Sequence, residues 1–205
     1  MLKLLFLSLL TLSTLFAGPI HKAATDGDTA KLTSLLTSGT DINSVNKYGQ
    51  TPLMLAVYNE HFDAVTLLID EGADLEAKMK NGQSAIFIAV FLGKNRIIMQ
   101  LLDNGAKVDV VDHNGETPLH RAAEGGSTNA IRLLLAHGAN INALNKHQST
   151  PLHLAAALNN EDAVWALVRA GASNSYVNDE EMTASEVADE EDYGRIVKII
   201  EKYAK

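Results

Sequence analysis

Thr51-Pro52-Leu53, Thr117-Pro118-Leu119 and Thr150-Pro151-Leu152 are separated by whole multiples of 33 residues, and Ser84-Ala85-Ile86 and Thr183-Ala184-Ser185 fill the remaining slots. A fixed step of this length constrains the chain strongly, because each copy must build the same supersecondary unit and stack on its neighbours. Counting back from Thr51 by one step reaches Gly18-Pro19-Ile20-His21. A second marker keeps the step: Gly72-Ala73, Gly105-Ala106, Gly138-Ala139 and Gly171-Ala172, with Gly39-Thr40 as the first copy. The register predicts five full units, 18–50, 51–83, 84–116, 117–149 and 150–182, and a partial sixth, 183–205.

What fills the period predicts an all-α fold. Thr is a good N-cap and Pro pre-sets φ for the first helical turn, so Thr-Pro-Leu starts a helix. Three residues after each Leu or its equivalent stand Ala23, Ala56, Ala89, Ala122, Ala155 and Ala188. A small residue in every copy implies close approach of two helix backbones. Later in each unit, apolar residues at i, i+3, i+4 outline a second helix: Leu32, Leu35, Leu36; Val65, Leu68, Ile69; Ile98, Leu101, Leu102; Ile131, Leu134, Leu135; Val164, Leu167, Val168. The Gly after each stripe suits a left-handed helix C′ position. Two helices cannot bury this stripe alone, so the units form a solenoid. In the sixth copy Glu201 stands where the others carry Leu36, Ile69, Leu102, Leu135 and Val168, as an end face exposed to water requires.

Residues 1–17, MLKLLFLSLLTLSTLFA, are a different polymer: one Lys, an apolar run from Leu4 to Phe16, and a small residue at the end. That is the layout of a secretory signal peptide, and the run is shorter than the roughly 20 residues of a transmembrane helix. The pattern predicts export with cleavage near Ala17 and no lasting membrane insertion. Of 17 Lys plus Arg and 25 Asp plus Glu, only Lys3 is lost, leaving 16 − 25 = −9. Such a field repels phosphate backbones, so no nucleic-acid partner is expected. With no Cys, disulfides, thiolate nucleophiles and Cys-ligated zinc are excluded.

Thr-Pro-Leu-His-x-Ala-Ala, whole at 117–123 and 150–156, together with the stripe and Gly-Ala-Asn-Ile-Asn at 138–142, resembles the ankyrin repeat. The resemblance covers essentially all of 18–205, though Gly18 replaces Thr, Met54 replaces His, and Ser84-Ala85-Ile86-Phe87 departs most. It implies a curved, right-handed array with β-hairpin-like fingers. The first helices and fingers then form a concave surface that binds another protein. The finger glycine, Gly49, Gly82 and Gly115, becomes Gln148 and Glu181, which predicts differently shaped last fingers. The small exported form is also similar to bacterial periplasmic ankyrin proteins, some of them associated with catalase or oxidative-stress defence.

No Walker A loop, dinucleotide-binding glycine motif, H-E-x-x-H or G-x-S-x-G is present, and neither catalytic residues nor a cofactor are expected. His21, His120 and His153 share one slot of the repeat and read as buried structural histidines. His61 and His137, near helix ends, read as solvated. His113 and His147 lie on consecutive fingers, one position out of phase, across a helix-packing distance of about 8–10 Å that is too wide for a shared zinc. They are the ligand candidates in an alternative reading, an accessory protein serving a haem enzyme such as catalase.

Three surfaces remain. Eight acidic residues between Asp179 and Asp192, with no intervening Lys or Arg, read as a solvated cap or a docking surface for a basic partner. Lys47, Lys78, Lys80 and Lys146 join His113 and His147 on the fingers. The third surface is apolar. The resemblance implies that the two residues after each Ala-Ala pair lie at the concave end of a first helix, and here they include Tyr58, Phe91, Leu92 and Leu158. With Tyr48 on a finger they form a strip flanked by charge, the composition of a protein-binding hot spot. The competing reading is that repeat three has repacked and taken Phe91 or Leu92 into its core. The sequence therefore predicts a monomeric, non-enzymatic binding module whose partner contacts are Tyr48, Tyr58, Phe91, Leu92 and Leu158, with Lys80, His113 and His147 orienting the partner.

Overall fold

The computed structural model describes residues 18–205; the segment read as a leader, with its cut near Ala17, lies outside the described residues. The first helix of each repeat is α1 (Pro19–Asp26), α3 (Pro52–Tyr58), α5 (Ala85–Phe91), α7 (Pro118–Glu124), α9 (Pro151–Ala157) and α11 (Ala184–Glu190). The second is α2 (Thr29–Thr37), α4 (Phe62–Asp70), α6 (Asn95–Asp103), α8 (Thr128–Ala136), α10 (Glu161–Arg169) and α12 (Gly194–Tyr203). No strand occurs among the described residues, and none of their helices is long and apolar enough to cross a membrane.

The expected roles of the repeated residues appear in packing. Ala23, Ala56, Ala89, Ala122, Ala155 and Ala188 are all buried, and at every step neighbouring first helices pack more closely than neighbouring second helices. The closer packing of the first-helix layer wedges each repeat, so the stack curves with the first helices inside. The stripe residues Leu32, Val65, Leu68, Ile98, Leu101, Ile131, Leu134, Val164 and Leu167 are fully enclosed between layers. Gly72, Gly105 and Gly138 have φ of 84°, 89° and 87°, while a Cβ on any of them would meet nothing within 4 Å. Backbone conformation, not space, therefore selects glycine at these helix ends.

Each finger is a tight turn closed by one side chain. Asn46 Oδ1 accepts from the amides of Tyr48 and Gln50, at 2.9 and 3.0 Å, and Asp112, Asn145 and Asn178 repeat the pattern. In finger two the corresponding residue is Met79, and Asn81 Oδ1 accepts from the Gln83 amide instead. Single backbone bonds tie the fingers in sequence, from Lys80 N to Tyr48 O, His113 N to Asn81 O, Lys146 N to Asn114 O and Asp179 N to His147 O. The fingers lacking glycine are not reshaped: Gln148 and Glu181 take φ of 53° and 61° and keep the same turn bonds. The closing Asn side chain and the link to the next finger hold the turn against a modest strain.

The sixth unit supplies both helices, α11 and α12. Glu201 is exposed, while Lys205 O accepts from Asn174 N at 2.8 Å and from Ser173 Oγ at 2.8 Å, tying the last residue back onto the connection after α10. Trp165 and Tyr203 close the outer layer with ring centroids 4.8 Å apart.

Candidate partner-binding face

The concave face is built on the ends of the first helices, and helix starts fix where those ends fall. In α7, Thr117 Oγ1 accepts from the His120 amide, and His120 Nδ1 accepts from Thr117 N at 3.1 Å. His120 Nε2 therefore carries the proton and donates to Ser149 O, 3.0 Å away in the next finger. His153 repeats this with Thr150 and Met182 O. Burial pushes both imidazoles below their usual pKa, which keeps this tautomer neutral. His21 donates to Ser44 O, but with Gly18 in place of Thr its Nδ1 is buried without a partner. These three histidines are structural, as the slot predicts.

Repeats two and three fill the same slot with buried Met54 and Phe87. Six residues of α5, Ala85 to Val90, are buried, and Ser84 makes no cap: its Oγ is buried without a partner. Apolar packing replaces polar wiring here, and it carries through to the helix end, where Phe91 is half-buried and Leu92 is the C-cap.

The expected contact residues are not equivalent. Leu158, the C-cap of α9, is 52% exposed. Tyr58 and Leu92 are half-buried and lean on the core, so for Leu92 the competing repacking reading holds in part. Burial raises the Tyr58 phenol pKa. Phe91 and Leu92 line one cleft of about 420 Å³ with Arg121 and Glu124 of the next repeat. Tyr58 and Leu158 flank that cleft without lining it. Tyr48 is half-buried on finger one, 4.8 Å from Lys47 Nζ to its ring centroid, and Lys80 and His113 are exposed on fingers two and three. His113 lies over Gly82, where a Cβ would come within 2.6 Å of its ring. His147 Nδ1 is 3.0 Å from Asp179 Oδ2 on the following finger. The two histidines thus serve different finger contacts, and no group of three metal-capable side chains occurs among the described residues.

His61 corrects one expectation. It is not solvated: its Nε2 is 2.8 Å from Thr25 O and its ring lies so close over Gly27 that a Cβ there would come within 2.6 Å. Asn160 does the same work three repeats on, donating to Ala123 O and Glu124 O.

Two features were not singled out by the sequence reading. Arg121 occupies the position of Leu55, Ile88 and Leu154, and its guanidinium is surrounded by carboxylates. Nη2 is 2.7 Å from Glu116 Oε2 and 3.7 Å from Asp112 Oδ2, and Nη1 pairs with Glu124. Burial pushes the Glu116 carboxyl above its usual pKa against the pull of Arg121, with Asp112 and Glu124 adding to the rise. The other feature is a row of exposed aliphatics one residue before each finger: Val45, Val111, Leu144 and Val177, at the 33-residue step. Lys78 takes the fifth place and its Nζ donates to Val111 O at 2.9 Å. The signal for the row was present in the register, since folding does not demand an apolar side chain there.

A stack of helix pairs with alanine-lined inner helices, glycine-ended outer helices and linked fingers defines a helical repeat solenoid. The family model for ankyrin repeats, in three copies, matches residues 20–112 and again 86–179, and the chain belongs to the ankyrin-repeat family. Arrays of this family are protein–protein interaction modules and are generally non-enzymatic. A comparison with the curated proteins finds no match.

Proposed function

We propose that this protein is an exported, non-enzymatic docking module that holds one partner protein against the ends of its first helices. The observation that carries this is the cleft in which Phe91 and Leu92 meet Arg121 and Glu124, continued on the next repeat by half-exposed Leu158. Apolar anchors within a polar rim are what a protein partner uses as a hot spot. Because the repeats are already ordered, little conformational entropy is lost on binding. Tyr48, Lys80, His113 and His147 border the face on the fingers and orient the partner. Export, to the periplasm, rests on the leader pattern of residues 1–17; the acidic end carrying Glu201 keeps arrays from stacking and the protein monomeric.

The test is affinity capture from an envelope extract of the source organism with wild-type protein and a Phe91→Ser/Leu158→Ser variant side by side. A partner held by the first and lost by the equally folded second supports the reading. A partner retained by both places docking elsewhere.

A further inference from the structure

The concave face is charged unevenly at the cleft between repeats three and four. Arg121 pairs with Asp112, Glu116 and Glu124, a formal balance of 1 − 3 = −2, and the His147 imidazole on the next finger also acts on Glu116. Asp112 is enclosed and Glu116 nearly so, but the Glu124 side chain is 34% exposed and lines the cleft. On the adjoining finger His147 is itself paired with Asp179, 3.0 Å away. Opposite Glu124 the cleft wall is Phe91 and Leu92. One wall therefore offers carboxylate oxygens in excess of the guanidinium that neutralises them, and the other offers apolar surface, including an aromatic ring.

We propose that this cleft selects a partner segment that carries a Lys or Arg side chain beside a bulky apolar residue. The proposal rests on the concave-face reading above and names the chemistry of the partner there. The cationic group lies against Glu124, which is half-shared with Arg121 and accessible, and the apolar neighbour covers Phe91 and Leu92. An acidic segment meets uncompensated carboxylates in a partly desolvated setting, where like charges repel strongly.

Fluorescence anisotropy with three fluorescein-labelled peptides, alternating Leu with Lys, with Glu or with Ser, tests this on the purified protein. The Leu-Lys peptide is expected to bind about ten-fold tighter than the Leu-Glu peptide, with Leu-Ser between them. Glu124→Gln is expected to lower affinity for the Leu-Lys peptide about ten-fold while leaving the Leu-Ser peptide and the melting temperature unchanged. Glu190→Gln, in the distant acidic stretch, controls for net charge and is expected to change nothing. Equal losses from the two substitutions, or equal binding of the Lys and Glu peptides, overturn the proposal. Phe91→Ser/Leu158→Ser separates the two readings. If it abolishes Leu-Ser binding while Glu124→Gln is silent, the charge selection falls and the concave face stands. If neither variant affects any peptide, both fall.

Discussion

Repeats three and four adopt the same helix pair by different means. Repeat three starts α5 from an uncapped Ser84 and relies on six buried residues in succession, ending in half-buried Phe91. Repeat four starts α7 from a capped Thr117 wired through His120 to the next finger, and it places Arg121 among three carboxylates. The repeat fixes the backbone and leaves the slot contents free, so stability can come from apolar volume or from a hydrogen-bonded and ion-paired network. The two solutions meet at one cleft, and their difference gives it an apolar wall and a charged one.

The comparison breaks most visibly if the slots are exchanged. Phe87→His is expected to cost about 3 kcal/mol, because a large core side chain is replaced by a polar one with no Thr to hold it. Adding Ser84→Thr should recover part of that loss in urea unfolding. For reference, Leu134→Ala in the enclosed stripe is expected to cost about 2–5 kcal/mol. Next in size, Thr117→Ala removes the cap and the His120 partner and is expected to cost about 1–2 kcal/mol. The equivalent Ser84→Ala is expected to be neutral or stabilising, since it deletes a buried hydroxyl that bonds to nothing.

Acid should affect the two solutions differently as well. The folded pKa values of His21, His120 and His153 lie below the ordinary 6.5, so the neutral form is favoured by folding. Their contribution is complete above pH 6.5 and is lost as pH falls through the lower folded values. The melting temperature should therefore drop between pH 7 and 5, and less so in a His120→Phe/His153→Phe variant, whose slots match repeat three. The smallest effect is expected at Leu158, where Leu158→Ser should leave the melting temperature unchanged while weakening the partner.

Much of this architecture was legible in the sequence because it is local and repeated. The alanine row, the glycine row and the i, i+3, i+4 stripes each follow from one turn of backbone, and the period multiplies the signal. What escaped is long-range or compensated. The Arg121 cluster joins carboxylates from a finger, a connection and a helix end that share no spacing motif. Gln148 and Glu181 keep the finger shape because neighbouring contacts outweigh the preference of glycine for positive φ. His61 reads as a surface residue until its ring is seen over Gly27, a contact made by a residue 34 positions earlier. Among the candidate contacts, composition identified the apolar helix ends, but only packing separates exposed Leu158 from Tyr58 and Leu92, which lean on the core.

The central claim is that a partner docks on the ends of the first helices. Hydrogen exchange of the protein with and without its captured partner tests it most directly. The account predicts slowed exchange at the C-terminal turns of α3, α5, α7 and α9 and in the fingers between them, with α4, α6, α8 and α10 unchanged. Protection confined to the second helices would contradict it.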